Sequence, residues 1–341
     1  MTVFSGMQDD LRKSPKRWLI TGGAGFIGSH LVEHLLRLGQ RVIVLDNFAT
    51  GHKFNLDHAR EKAGEHGALD FIEGDICDPE ACRRACAGVD HVLHQAALGS
   101  VPRSMKDPLA SHLTNTHGFL NVLMAAHEAS VQSIVYASSS SVYGDSPVLP
   151  KSEEQVGRPL SPYAATKVAN EAYANAFALA YRMKVIGLRY FNVFGPRQDP
   201  NGPYAAVMPL WFSALLAGRE VTIHGDGETS RDFCYIDNVV QVNLLAALAE
   251  RTEAFGQVYN VALGQQTTLN QLFELIRDQV ARFRPDASAA RPRHGAFRPG
   301  DVRHSLADVS KAQRLLGYAP THDVVTGLGI ASAWYAGQAA T

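Results

Sequence analysis

Four cysteines in 341 residues are too few and too scattered to staple a fold. Cys77, Cys82, Cys86 and Cys234 form no C-x-x-C pair and stand near no paired histidines, so neither a disulfide framework nor a zinc site is indicated. The 14 histidines are spread without an H-E-x-x-H or another ligand cluster, and no metal is expected. No apolar run reaches the roughly 18 residues that a bilayer span needs. The opening MTVFSGMQDDLRKSPKR lacks the apolar core of a secretion signal. Neither sign of charge is in excess, with 32 Lys and Arg against 33 Asp and Glu. Such a chain has no whole-molecule attraction to nucleic acid or anionic lipid, so no nucleic acid and no membrane is expected as a partner. Any phosphate-bearing ligand must then be held by a local site. The expectation is a cytoplasmic protein with reduced thiols and a leading segment of one or two helical turns.

What is present is an ordinary globular composition, 46% hydrophobic and 19% charged, enough for a sizeable core. RWLIT (17–21), RVIVLD (41–46), LDFIEGD (69–75), DHVLHQAA (90–97), SIVYASS (133–139) and VIGLRYF (185–191) are short β-branched runs. They suit strands buried on both faces of a parallel sheet. Helix-like stretches lie between them; from Gly28 to Leu38 the apolar Leu31, Leu35 and Leu38 recur at helical spacing. The alternation predicts an α/β fold, a doubly wound Rossmann parallel sheet with a smaller C-terminal α/β substrate lobe. The expected division is 1–190 and 191–341, with the chain crossing between the lobes. In the second part, helices are expected at 205–217, 237–250, 268–282 and 323–338, and a polar connection at 283–301.

TGGAGFIGSH (21–30) follows the first strand and opens the first helix. Gly22, Gly23, Gly25 and Gly28 suit a tight turn whose backbone must approach a pyrophosphate, with Phe26 and Ile27 at the helix N-terminus that would receive it. A lone glycine motif is weak. Here the strand–turn–helix context is right, and Asp46 ends the second strand about 20 residues on. A carboxylate there accepts hydrogen bonds from ribose hydroxyls and repels a 2′-phosphate. Asn47 and Phe48 supply no arginine to hold one, so the cofactor expected is NAD rather than NADP. Thr50 and Gly51 follow in the same loop. Asp75 and Ile76 are placed to meet the adenine edge, and Gln95, Ala96 and Ala97 to lie along the dinucleotide. A turn-forming Asp and small residues at a tight crossing explain these last positions equally well.

The fifth strand ends in ASSSSVYG (137–144), and SPYAATK (161–167) starts a helix. Tyr163 and Lys167 are four apart and share a helical face. A phenol near pKa 10 is a poor base at neutral pH. An ammonium about 4 Å away contributes roughly 4 kcal/mol at an effective dielectric near 20. That is about 3 pKa units, enough to bring the phenol near 7. Y-x-x-x-K alone usually marks an exposed pair; the serine run, able to bond the same substrate oxygen, lifts it. Asn115 is a candidate to hold a water leading to Lys167.

TGGAGFIG, Asp46-Asn47-Phe48, HQAA, SSSSVYGD, SPYAATK, RYFNVFGPRQ and GDGETSRDFCYIDN together resemble the extended short-chain dehydrogenase/reductases over nearly the whole chain from Lys16. Within them the likeness is to UDP-sugar 4-epimerases, in particular those acting on UDP-N-acetylglucosamine and UDP-N-acetylgalactosamine. The resemblance implies Tyr163 as base at the sugar 4-hydroxyl, Lys167 as its electrostatic partner and ribose contact, and Ser139 as the second hydrogen-bonder. Thr114, Tyr190 and Phe191 would line the nicotinamide end. Asn192, the Ala206-Val207 backbone, Arg231, Arg298 and Asp301 would hold UDP. Guanidinium groups grip pyrophosphate bidentately, although any single arginine is most often a surface residue. The reaction implied is oxidation and re-reduction at C4, with retained NAD and a homodimer built through helices of the first lobe.

Related 4,6-dehydratases resemble one another in an Asp-Glu pair just after the position of Ser139, where this chain has Ser140 and Ser141. UDP-glucuronate decarboxylases typically carry a Glu where Ser141 stands. Both activities are therefore disfavoured. A dinucleotide-sensing regulator would tend to lose the Tyr/Lys pair, which is kept. Ser305 occupies a position where UDP-galactose 4-epimerases can carry a tyrosine that excludes acetylated sugars. Serine there, with Gly99 and Ser100 at the neighbouring loop, favours N-acetylated substrates or their uronic acids over plain UDP-glucose. Ser305 also reads simply as a small residue on a strand edge.

Overall fold

A computed structural model of the chain describes residues 2–200, 205–297 and 302–339. Its centre is a seven-stranded parallel sheet. Six strands come from the first half: β1 (Arg17–Thr21), β2 (Arg41–Asp46), β3 (Ala68–Glu73), β4 (His91–His94), β5 (Ser133–Ser139) and β6 (Val185–Tyr190). A seventh, Gln257–Val261, pairs with β6 and forms one edge, giving the order Gln257–Val261, β6, β5, β4, β1, β2, β3. Helices cover both faces, which makes this a doubly wound Rossmann fold with a smaller α/β lobe.

Burial explains most of the strand choice. Trp18, Leu19 and Ile20 of β1 are wholly inaccessible, as are Val92 and Leu93 of β4. The expectation of strands buried on both faces fails at β3, where Asp70 and Glu73 are exposed. The reason is position: β3 is the other edge, with no strand beyond it. The expected leading turn or two is a full helix, Val3–Lys13, capped by Thr2, whose hydroxyl accepts a hydrogen bond from the Ser5 N–H. Buried Gln40 holds its end, donating to the Leu11 and Leu38 carbonyls at 2.9 and 2.8 Å.

The chain does not leave the sheet for good at Tyr190. Helix Ile236–Ala247 packs on the helix Phe26–Arg37 and on β4, β5 and β6, and Gln257–Val261 then enters the sheet. The lobe itself is built on helices Val207–Leu216, Leu269–Val280 and Val324–Ala339, which pack on one another. The expected polar connection at 283–301 contains a short strand, Arg293–Gly295, paired with Thr222–His224; its residues beyond 297 lie outside the described ones. Among the described residues no helix is long and apolar enough to cross a membrane, and no group of three or more His, Cys, Asp or Glu could hold a metal.

Asp232 knots the lobe to the end of the sheet. It is fully buried, and its carboxylate accepts hydrogen bonds from the backbone N–H groups of Leu263 and Gly264, both at 3.0 Å, and Ala307 at 3.2 Å. Burial pushes its pKa up to about 6 against the pull of these donors. Asp232→Asn would turn an NH2 toward N–H groups that need an acceptor. Leaving such a group unsatisfied costs about 1–3 kcal/mol. The urea midpoint of Asp232→Asn should fall accordingly; an unchanged midpoint would show that the knot carries no stability.

Candidate active site

The carboxyl ends of the parallel strands open into a cavity of about 710 Å³, within the size range of small-molecule sites. Register makes this possible. Thr21 of β1 is level with Leu45 of β2 and His94 of β4, and Ser139 of β5 is level with Tyr190 of β6. The loops after these strands therefore face one crevice.

At one end lies the glycine turn. Gly22 has φ +70°, and a Cβ on it would sit 2.6 Å from the Ala96 nitrogen. A Cβ on Gly28 would sit 2.1 Å from the Gly22 carbonyl oxygen. The turn is thus closed against β4 on one side and its own helix on the other, and only glycine fits. Gly25 caps the helix Phe26–Arg37 without a side-chain bond, so its first N–H groups remain free for an anion. Asp46 does more than the sequence suggested. Its carboxylate accepts hydrogen bonds from the Ala24 N–H at 2.9 Å and the Phe48 N–H at 2.8 Å, bracing the turn while facing the cavity. Each carboxylate oxygen has a further lone pair for a ribose hydroxyl. Asn47, Thr50 and Gly51 line the same wall, with Asp75 and Ile76 beside them; Asn47 donates to Asp75 at 2.8 Å. Phe48 is in the loop but off the wall, its ring stacked on Phe71 at 5.1 Å.

At the other end the helix Pro162–Tyr181 starts at Ser161, whose hydroxyl accepts a hydrogen bond from the Ala164 N–H, and carries Tyr163 and Lys167 into the cavity. Tyr163 hydrogen-bonds Ser139, and this bond lowers the phenol pKa. Burial raises it by more, so the phenol stands above its ordinary value. Burial thus opposes the descent toward 7 that the Tyr163/Lys167 spacing suggests; Lys167 Nζ donates to the Ala137 carbonyl at 2.8 Å and lies 5.8 Å from the centre of the Tyr163 ring. Burial also brings Lys167 down to about 8. The Asn115 side chain donates to the Leu98 carbonyl and to Thr166 and accepts from the Leu98 N–H.

Gln95, Ala96, Ala97, Gly99, Ser100, Thr114, Tyr190, Asn192 and Ala206 all reach the cavity wall. Phe191 is fully buried behind it. Ser140 and Ser141 form the short turn after β5, off the wall. Val207 begins the helix behind Ala206. Arg231 is also off the wall, bonded to the Ser230 carbonyl at 2.9 Å, and Ser305 donates its N–H to that same carbonyl at 3.1 Å. Arg298 and Asp301 lie outside the described residues.

Residues 18–262 match the NAD dependent epimerase/dehydratase family. The chain belongs to that family. It is 37% identical to the UDP-glucose 4-epimerase of Mycolicibacterium smegmatis over 92% of this chain and 96% of that one. It is 36% identical to UDP-glucuronate 4-epimerase 4 of Arabidopsis thaliana, over 93% and 74%. Among solved structures it is similar to the UDP-N-acetylglucosamine 4-epimerase from Methanobrevibacter ruminantium in complex with UDP-N-acetylmuramic acid. There the TM-score is 0.87 and the identity 38%, over 95% of this chain and 99% of that one.

The protein is thus an NAD-dependent enzyme of the isomerase class, and its residues fit the cofactor: a turn closed to any Cβ, free helix N–H groups, and Asp46 at the end of β2. Sequence reading missed several wall residues of this epimerase. It also missed Asn243, which shapes the wall from behind. This residue lies fully buried in the helix Ile236–Ala247, donates to the Tyr190 hydroxyl at 2.9 Å and accepts from Gln95 at 3.1 Å. Gln198 and Asp199 stood in the quoted RYFNVFGPRQ run or beside it, yet drew no assignment; both line the cavity, and Asp199 lies 3.6 Å from His52. The purified protein should carry NAD and no NADP, read in the supernatant after denaturation. Gly28→Ala should lose it, because the new methyl meets backbone rather than a movable side chain. A Gly28→Ala protein that keeps its NAD would remove the turn from the cofactor site.

Proposed function

We propose that this enzyme is a UDP-sugar 4-epimerase whose substrates are UDP-N-acetylhexosamines, interconverting UDP-N-acetylglucosamine and UDP-N-acetylgalactosamine or their uronic acids. The observation that carries the reaction is the meeting of Tyr163, Ser139 and Lys167 in one cavity whose far end is braced by Asp46. NAD, when bound, supplies a reversible hydride acceptor for the sugar's C4, so the sugar passes through a 4-keto form. Tyr163 takes the 4-hydroxyl proton and later returns it, while Ser139 bonds the same oxygen. Lys167 favours the phenolate through its charge, and the burial that raises the phenol also removes the water that would screen that charge. Asn192 and the Ala206-Val207 backbone, with Arg231, Arg298 and Asp301, are assigned to UDP, which anchors the sugar while it turns.

The acetylated substrate is supported by the small residues Gly99, Ser100, Ala205 and Ala206 among those lining the cavity that holds Tyr163 and by the likeness to the Methanobrevibacter ruminantium enzyme. Ser305 supports it less than its sequence position suggested, since it stands off the described cavity wall. A cytoplasmic homodimer belongs to the same reading. On the helix Pro162–Tyr181 the residues Ala165, Val168, Ala172, Ala176 and Leu179 form an exposed apolar stripe at helical spacing. Leu109, Leu113 and Met124 are exposed on the preceding helices. Two such faces make a four-helix contact.

Tyr163→Phe should lower turnover by at least about a hundredfold, the scale of losing a general base, with UDP-sugar binding retained; near-normal turnover would move the base elsewhere. Offered UDP-glucose and UDP-N-acetylglucosamine separately, the purified protein should convert the acetylated sugar with the higher kcat/KM by product NMR. A preference for plain hexoses would cancel the finer assignment and leave the 4-epimerase.

A further inference from the structure

We infer that Glu171 is a positioning residue for the Tyr163/Lys167 pair: its partly buried carboxylate, one helical turn beyond Lys167, is the counter-charge that keeps Lys167 an ammonium. The inference rests on the epimerase reading only for what Lys167 does, and on this structure for what surrounds it.

Tyr163, Lys167 and Glu171 follow one another at intervals of four on the helix Pro162–Tyr181, so they stack on one face. Their polar ends meet three consecutive residues at the close of β5. Lys167 Nζ donates to the Ala137 carbonyl at 2.8 Å, the Ser138 hydroxyl donates to Glu171 Oε1 at 2.6 Å, and Ser139 bonds the Tyr163 phenol. Glu171 therefore belongs to the same contact line as the two residues assigned to the chemistry.

On its other side Glu171 takes the guanidinium fork of Arg189 from β6, Nε to Oε1 at 2.9 Å and Nη2 to Oε2 at 2.7 Å. Arg189 is almost fully buried and donates its remaining Nη1 to the Tyr143 hydroxyl and the Glu153 carbonyl. Arg189 thus pairs with this carboxylate directly, and Lys167, one helical turn before it, feels its charge. Beyond Glu171 the acidic groups nearby are Glu153 and Glu154, which line with it and Lys311 a second cavity of about 270 Å³, and burial raises Glu153 above its ordinary value. His94 on β4 is held neutral by burial, its pKa near 3, and Tyr136 on β5 is pushed above its ordinary value by burial. Tyr163 is likewise raised, and Arg103 across the cavity is a further cation. Remove the carboxylate and Arg189 loses its ion-pair partner and Lys167 the negative charge one turn along its helix. Arginine does not give up its proton in a protein, so lysine is the one that must. Burial already brings Lys167 to about 8, with the Glu171 charge opposing that fall. The sign is therefore fixed. Lys167 loses its charge as pH rises through about 8, and without Glu171 the loss comes at lower pH.

The test reads Lys167 directly, by NMR of the whole protein isotopically labelled at lysine Cε, with the signal assigned by its loss in Lys167→Met. In the wild type the signal should titrate at about 8. In Glu171→Gln the midpoint should fall by about one pH unit, the scale set by one nearby opposite charge. Glu171→Asp, which keeps the charge and withdraws it by one methylene, should move it in the same direction by less. With UDP-N-acetylglucosamine the alkaline limb of kcat should follow the midpoint, and KM should not. In whichever variant folds, a midpoint that stays at the wild-type pH overturns the inference, and a lowered melting temperature beside it makes Glu171 a structural anchor. Because the NMR titration needs no turnover, a wild-type protein inert toward every UDP-sugar would defeat the functional reading alone.

Discussion

Parallel pairing of β1 with β4, β4 with β5 and β5 with β6 is the constraint on which the rest of the molecule depends. Parallel strands must all be crossed in the same direction, so every loop that follows one emerges at the same edge. The register then decides who meets whom. Gly22, one residue beyond β1, is pressed against the Ala96 backbone beyond β4, and Ser139 ends β5 beside Tyr190 at the end of β6. Neither the glycine turn nor the serine end would make a site alone. Held at one edge, they become two ends of a single cavity.

The electrostatics of that cavity follow from how it is closed. Helix Pro162–Tyr181 lies over β5, and its charged residues are drawn into low dielectric where each must find a partner. Arg189 and Glu171 do so bidentately, and breaking such a buried pair costs about 3–5 kcal/mol. Lys167 has a carbonyl and the charge of Glu171 one helical turn on, and Tyr163 has a serine. The groups least fully paired are the ones placed on the cavity wall, which is where a pKa near the working range is useful.

Much of this was legible in the sequence because the signals were local. The runs at 17–21, 41–46 and 133–139 coincide with β1, β2 and β5, since a central parallel strand is apolar along its whole length. The glycine turn, Asp46 and the Tyr163/Lys167 spacing were equally visible, because each is a short-range pattern. What escaped depended on long-range contact. Gln257–Val261 has only five residues and becomes a sheet strand through β6, far away in sequence. Asn243 sits in a buried helix outside any motif and gains its role from Gln95 and Tyr190. Phe48 followed Asp46 in the motif, yet a positive φ of 56° and the stack on Phe71 take it off the wall. Spacing could place Lys167 on the face of Tyr163, but only the fold could show that its ammonium ends on Ala137.

The central claim is that Tyr163 and its neighbours serve an oxidation and re-reduction at one carbon of a bound UDP-sugar. Deuterium placed at C4 of UDP-N-acetylglucosamine tests it most directly. The account predicts that NMR of the product in ordinary water finds the deuterium still at C4 of the inverted sugar, because it leaves and returns within one enclosed site. Its replacement by solvent hydrogen at C4 would contradict the account and point to proton abstraction at that carbon.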